Sequence, residues 1–136
     1  MNVTVRDVDV VARTIFGEAR GETDLGKLAV AWVIVNRAKK YNQGLAETCL
    51  KSTHFSAWNN SRDHDDNQLK MMMADESDSI FIRCKIAAFS AIFRLKGDPT
   101  KGATHYIADY LDPVPSWAAG KLYLSIGRHK FYSGIA

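Results

Sequence analysis

The sequence predicts one mainly α-helical domain: a buried central helix, several helices around it, and a loop-rich C-terminal part with at most a small β-hairpin. Three observations predict it. The run Leu28-Ala29-Val30-Ala31-Trp32-Val33-Ile34-Val35 is apolar on every face of a helix, which places that helix at the centre of a chain of 136 residues. Stretches before and after it carry apolar residues at three- and four-residue steps. From Thr100 onward, Gly, Pro and aromatic residues interrupt every such pattern.

Taken in order, the first helix reads from about Asp7 to Ala19, with Val8, Val11, Ala12, Ile15, Phe16 and Ala19 forming one stripe. Thr4 with Asp7 three residues on resembles a capping box, Asp standing in for Glu or Gln. Gly17 and Gly21 bracket its far end, so the helix stops near Glu18 to Arg20. Thr23 or Asp24 caps the central helix, which runs to about Lys40. It turns polar at Asn36-Arg37, and Lys39-Lys40 sit where cations suit a helix C-terminus. Gly44 to Lys51 reads as a short third helix. Ser52 to Ser77 reads as polar and irregular, with aromatics only at Phe55 and Trp58. Asp78 or Ser79 caps a long helix with a stripe of Ile80, Phe81, Cys84, Ala87, Ala88, Ala91, Ile92 and Leu95, ended by Gly97 and Asp98-Pro99. The hairpin is placed at Leu122 to Ile126 and Lys130 to Tyr132. There is no internal repeat or linker, so residues 1–136 read as a single domain.

Composition narrows the function. With 46% hydrophobic and 24% charged residues, long disorder is excluded. The longest apolar run, Leu28 to Val35, is too short to cross a bilayer, so no membrane insertion is expected. Arg6, Asp7, Asp9 and Arg13 interrupt Met1 to Phe16, which therefore does not read as a secretory signal; delivery outside the cytoplasm needs another route. A net charge of +3, scattered along the chain, gives no argument for nucleic acid. Cys49 and Cys84 have no zinc-like spacing. They read as two buried thiols, with a disulfide formed after export as the other reading.

The segment Gly17-Glu18-Ala19-Arg20-Gly21-Glu22 carries the chemistry. A carboxyl at a helix C-terminus faces the negative end of the helix dipole, and burial beside Ile15 and Phe16 adds to the preference for its protonated form. Such an acid is what protonates the leaving oxygen of a glycoside. On spacing alone the other reading is an exposed partner of Arg13 or Arg20.

Those residues begin a resemblance that runs along nearly the whole chain. Ile15-Phe16-Gly17-Glu18-Ala19-Arg20-Gly21-Glu22, Gly26, Ala29-Val30-Ala31 and Val35-Asn36-Arg37 resemble the SleB-type cell-wall hydrolases, which include spore-cortex-lytic enzymes and phage lysins. The likeness continues through His54-Phe55-Ser56-Ala57-Trp58, through Asp98-Pro99-Thr100-Lys101-Gly102-Ala103-Thr104-His105-Tyr106, and through Pro115-Ser116-Trp117. It closes with Ile126-Gly127-Arg128-His129-Lys130-Phe131-Tyr132. The resemblance implies a lysozyme-like α+β fold, cleavage between N-acetylmuramic acid and N-acetylglucosamine, and Glu18 as the catalytic acid. The chain lacks the peptidoglycan-binding repeat and signal sequence common in the spore enzymes, and Arg62 to Glu76 has no counterpart there, so the phage-lysin branch fits better.

A two-carboxylate glycosidase needs a second acid across its cleft. Glu22 lies one turn from Glu18 if the helix continues past Gly21, and Asp24, Asp63, Asp98 and Asp109 are further candidates with no distinguishing context. A lytic transglycosylase, the outcome associated with SleB-like enzymes, needs one acid only, so a product with anhydro-muramoyl ends is expected. Phe55, Trp58, Tyr106, Tyr110 and Trp117 are candidates for stacking on sugar rings, with core packing the other reading for Phe55 and Trp117. Trp32 reads as core. Asn36 and Arg37 either organise the cleft floor or simply end their helix. His54, His64, His105 and His129 read as a scatter rather than a zinc site, though His105 and His129 can line the cleft. Asp63 to Asn67 imitates a calcium loop but has Gln68 where Gly is needed and Ala74 where Glu is needed. The candidate site is therefore Glu18 as acid, with Glu22, Asn36, Arg37, Ser56, Trp58, His105, Tyr106, Trp117 and His129 contacting substrate. No metal or other cofactor is implied. A monomer acting on glycan strands at the cell wall or periplasm, after release from a host cytoplasm as an endolysin, completes the expectation. The competing readings are a hydrolytic muramidase, a zinc-dependent N-acetylmuramoyl-L-alanine amidase, and a wall-binding or virion protein without catalysis.

Overall fold

Thr4 starts the first helix as its spacing from Asp7 predicts. In the computed structural model, which describes residues 2–51, 55–58 and 66–136, Thr4 Oγ1 accepts from Asp7 N at 3.1 Å and Asp7 Oδ2 accepts from Thr4 N at 3.0 Å. The helix α1 spans Val5–Ala19 and buries the expected stripe. Asp7 Oδ1 also accepts from Ala46 N at 3.0 Å, tying α1 to the third helix. Burial opposes the charge on Asp7, but these hydrogen bonds outweigh it and hold its carboxyl below the usual range.

The central helix α2, Asp24–Tyr41, is capped by Thr23, whose hydroxyl accepts from Gly26 N at 3.2 Å. Every residue from Leu28 to Val35, Trp32 included, is buried. It ends at Asn42, in the left-handed conformation at φ 53°. The short helix α3, Leu45–Leu50, follows.

The segment expected to be irregular holds a 3₁₀ turn, Ser56–Trp58, and a helix α4, Asp66–Met73. Composition hides α4 because only Met71 in it is buried. What holds it is Arg13 on α1, whose Nη1 donates to the carbonyls of Met71, Met72 and Ala74 at 2.6, 3.1 and 2.9 Å. The Met71 sulfur fills the space over Gly17, where a Cβ would lie 2.3 Å from it. His54, Asp63 and His64 lie outside the described residues.

Asp78 caps α5, Ser79–Ile92, accepting from Ile80 N at 2.8 Å. This helix ends before Gly97. Arg94 takes the left-handed conformation at φ 55°, and Leu95 N turns back to Ser90 O at 2.8 Å. Leu95 therefore leaves the expected stripe and is exposed, as is Ile80 in the first turn; Phe81, Cys84, Ala87, Ala88 and Ala91 form the face that packs on α1 and α2. Cys49 and Cys84 are free and buried, so the thiol reading holds; burial pushes both up to about 12. Among the described residues, no helix is long and apolar enough to cross a membrane.

The expected hairpin forms as β2, Leu124–Ile126, and β3, His129–Tyr132. A further strand, β1 at His105–Ala108, was expected to be loop; it pairs antiparallel with β3 in the order β1-β3-β2, Tyr106 opposite Phe131. Four residues are too few to declare a strand by alternation. Successive side chains of β1 point to opposite faces. Tyr106 and Phe131 join the helical core, while Ile107 and Tyr132 join a second cluster with Val114, Trp117, Ala118 and Ile135. The result is the lysozyme-like α+β arrangement, with the sheet packed along the end of the helical body.

Candidate active site

Three elements meet at Glu18. It sits in the last turn of α1, where the chain turns toward α2. Lys27, buried on α2, closes that helix end: its Nζ donates to the carbonyls of Arg20, at 3.1 Å, and Glu22. The Glu18 carboxylate is then held from two sides. Oε2 accepts from the backbone N–H of Ala57 at 2.8 Å and faces Ser56 Oγ at 3.4 Å; Oε1 accepts from the hydroxyl of Tyr106. Glu18 is half-buried and its neighbour Ser56 is exposed, so the acid lies at the surface beside the 3₁₀ turn.

The surface-pair reading of Glu18 does not hold. Arg13 pairs with Asp9 at 2.9 Å and with the end of α4, and Arg20 lies over the Phe16 ring at 4.6 Å. Burial pushes the Tyr106 phenol well above its ordinary value, and the neighbouring Glu18 charge pushes it further. It is therefore held in its protonated, hydrogen-bond-donating form around neutral pH. Its ring packs against Phe55, Phe131 and His129, with centroids 6.5, 5.6 and 5.1 Å away. Its place is as the partner of Glu18 rather than as a stacking platform.

The other candidates divide by position. Trp58 is half-buried beside α1, its indole N–H donating to Thr14 Oγ1 at 2.7 Å. Phe55 is core, and the Arg37 guanidinium lies 4.9 Å over its ring. Arg37 Nε donates to Thr104 O, and burial lowers the pKa of its guanidinium. Asn36 Nδ2 donates to Asp98 Oδ2 and to Ala103 O, both at 2.9 Å. These two residues fasten the loop that delivers Tyr106. Asp98 is itself held within that loop, accepting from Thr100 N and Oγ1 at 2.7 and 2.6 Å and from Gly102 N at 2.9 Å. Burial works against its charge, but those bonds and the one from Asn36 prevail and keep its carboxyl below the usual range.

His105 and Trp117, 4.8 Å apart by ring centroids, lie on the sheet face turned away from Tyr106. His129 lies on the same face as Tyr106. Glu22 is turned to the β2–β3 connection, where Oε1 accepts from Arg128 N at 2.9 Å. Asp24 pairs with Arg83 at 2.7 Å, and Asp109 is exposed. The Ala57 amide, a main-chain donor that no side-chain pattern announces, was not among the expected site groups. The bracing roles of Lys27 and Thr14 were also absent from the expectations that sequence supports.

A family model for cell wall hydrolases matches residues 21–132. The match begins just past Glu18, so the geometry above is an independent argument for that residue. Two solved structures share the fold. One is the catalytic domain of the germination-specific lytic transglycosylase SleB from Bacillus anthracis, 24% identical with a TM-score of 0.72, over 97% of this chain and 98% of that one. The other is the catalytic domain of the Bacillus cereus SleB protein, also 24% identical, with a TM-score of 0.68 over 97% and 93%. No curated protein sequence matches. The family match makes this helical body with its small sheet an enzyme of cell-wall degradation. The chain belongs to the cell wall hydrolase family.

Proposed function

We propose that the protein is a lytic transglycosylase that cleaves the bond between N-acetylmuramic acid and N-acetylglucosamine, with Glu18 as both acid and base. The observation that carries the reading is the Glu18 carboxyl gripped by Tyr106 and the Ala57 amide yet open beside Ser56. Protonated, Glu18 gives its proton to the glycosidic oxygen as the bond to the muramic C1 breaks and glucosamine leaves. The muramic 6-hydroxyl then bonds to C1 and returns its proton to Glu18. The product is a 1,6-anhydro end, and no water is consumed. The commitment of Glu22 to the Arg128 amide favours this one-acid route over a two-acid hydrolysis. Ser56 and Trp58, flanking the acid, are assigned to the glycan strand.

Mass spectrometry of muropeptides released from sacculi tests the reading. Anhydro-muramic ends are expected; reducing muramic ends would indicate a muramidase, and free stem peptides an amidase. Glu18→Gln keeps the shape and removes the acid, so lysis should fall to background with the unfolding midpoint little changed. Full turbidity clearing by that variant sinks the assignment. We extend the proposal to host lysis as a phage lysin, acting at the wall after release, on the strength of the phage-branch resemblance. Expression in a bacterium should then lyse cells only once the inner membrane is permeabilised.

A further inference from the structure

Glu22 is an unusual carboxylate for a turn. Its side chain is only 9% exposed, and among the described residues its short hydrogen bond is the one from Arg128 N at 2.9 Å. Arg128 Nε stands 3.9 Å away on a side chain that is 77% exposed, a weak counter-charge. Two glycines make room for it. A Cβ on Gly26 would lie 2.8 Å from Glu22 Cβ, and one on Gly127, at φ 59°, would lie 2.2 Å from Oε1. A buried charge needs more than this.

The missing partner stands beside it. His129 Nδ1 is buried, has no hydrogen-bond partner among the described residues, and lies 3.7 Å from Glu22 Oε1. Closing that gap by about 0.7 Å gives an ordinary N–H···O bond. The same imidazole meets the Tyr106 ring at 83°, and the Tyr106 hydroxyl donates to Glu18. We propose that Glu22 and His129 form a buried pair in which Nδ1–H donates to the carboxylate. This pair acts as a positioning device: it sets the imidazole plane, the imidazole sets Tyr106, and Tyr106 sets the Glu18 carboxyl. The proposal rests on Glu18 being the acid.

Glu22→Met keeps the length of the side chain and removes the oxygen that faces His129 Nδ1, and His129→Phe keeps an aromatic edge against Tyr106. In proton NMR the whole protein should show a slowly exchanging imidazole N–H from His129 that both variants lack. On sacculi each variant should lose about 10- to 100-fold in kcat with KM unchanged. The double variant should be no worse than the poorer single one, as members of one unit are. Losses that multiply, a kcat within twofold of wild type, or an N–H that survives Glu22→Met would overturn the proposal. Should a variant fold poorly by its urea midpoint, the wild-type spectrum decides alone: no protected imidazole N–H means no pair. That spectrum does not depend on activity. A lytic Glu18→Gln protein would thus refute the proposed function while leaving the pair to stand or fall separately.

Discussion

The two donors on Glu18 differ in what substitution can do to them. The Ala57 amide is main chain and persists through any side-chain change, whereas the Tyr106 hydroxyl is lost in Tyr106→Phe with the ring contacts kept. A hydrogen bond to a charged group is worth about 1.5–3 kcal/mol, so kcat on sacculi should fall roughly 10- to 150-fold. KM should stay put, because the phenol faces the acid and not the strand. An unchanged kcat would mean that the Ala57 amide alone orients the carboxyl. The place of Glu18 at a helix end is legible in the sequence. The amide is not legible there, because a backbone donor leaves no trace in residue type.

At the level of elements, the loop from Asp98 to Thr104 is the piece whose failure would be felt at the acid, since it feeds directly into β1. Its Asp98 is a depressed carboxyl in the fold, so the sign of its pH dependence follows. The stability it adds is complete above the unfolded value of about 3.9 and is lost as the pH falls through the lower folded value. The gap in urea unfolding free energy between wild type and Asp98→Asn should therefore be widest near neutrality and close in acid. A gap that stays constant with pH would show that the Asp98 charge is not what secures the loop. Helix α4 and strand β1 are hidden from residue patterns for one reason: each is held by distant partners, α4 by Arg13 and β1 by β3. The capped helices α1, α2 and α5 and the β2–β3 hairpin are readable because their signals are local.

Across the whole molecule, α2 is the buried central helix, and its all-round apolar run announces this directly. Cys49 on α3 and Cys84 on α5 are both sealed within the body built around it. Burial holds both thiols protonated up to about 12, so a disulfide reagent at pH near 8 should find neither in the native protein and both in denaturant. Fast modification of the folded chain would mean that the body opens locally around one of them. The early end of α5 belongs to this scale too: the chain turns at Arg94, ahead of the glycine that composition marks, and Trp32 on α2 still holds it beyond the turn by donating to Lys96 O at 3.1 Å.

Strand β1 carries tyrosine and histidine side by side, one directed at the acid and the other across the sheet. Because neighbours on a strand alternate, a register slip of one residue would present His105 or Ile107 to Glu18 in place of Tyr106. The length of the Asp98 loop is therefore a catalytic parameter in its own right. A one-residue insertion or deletion there could silence the enzyme while every residue of the site remained encoded in the gene.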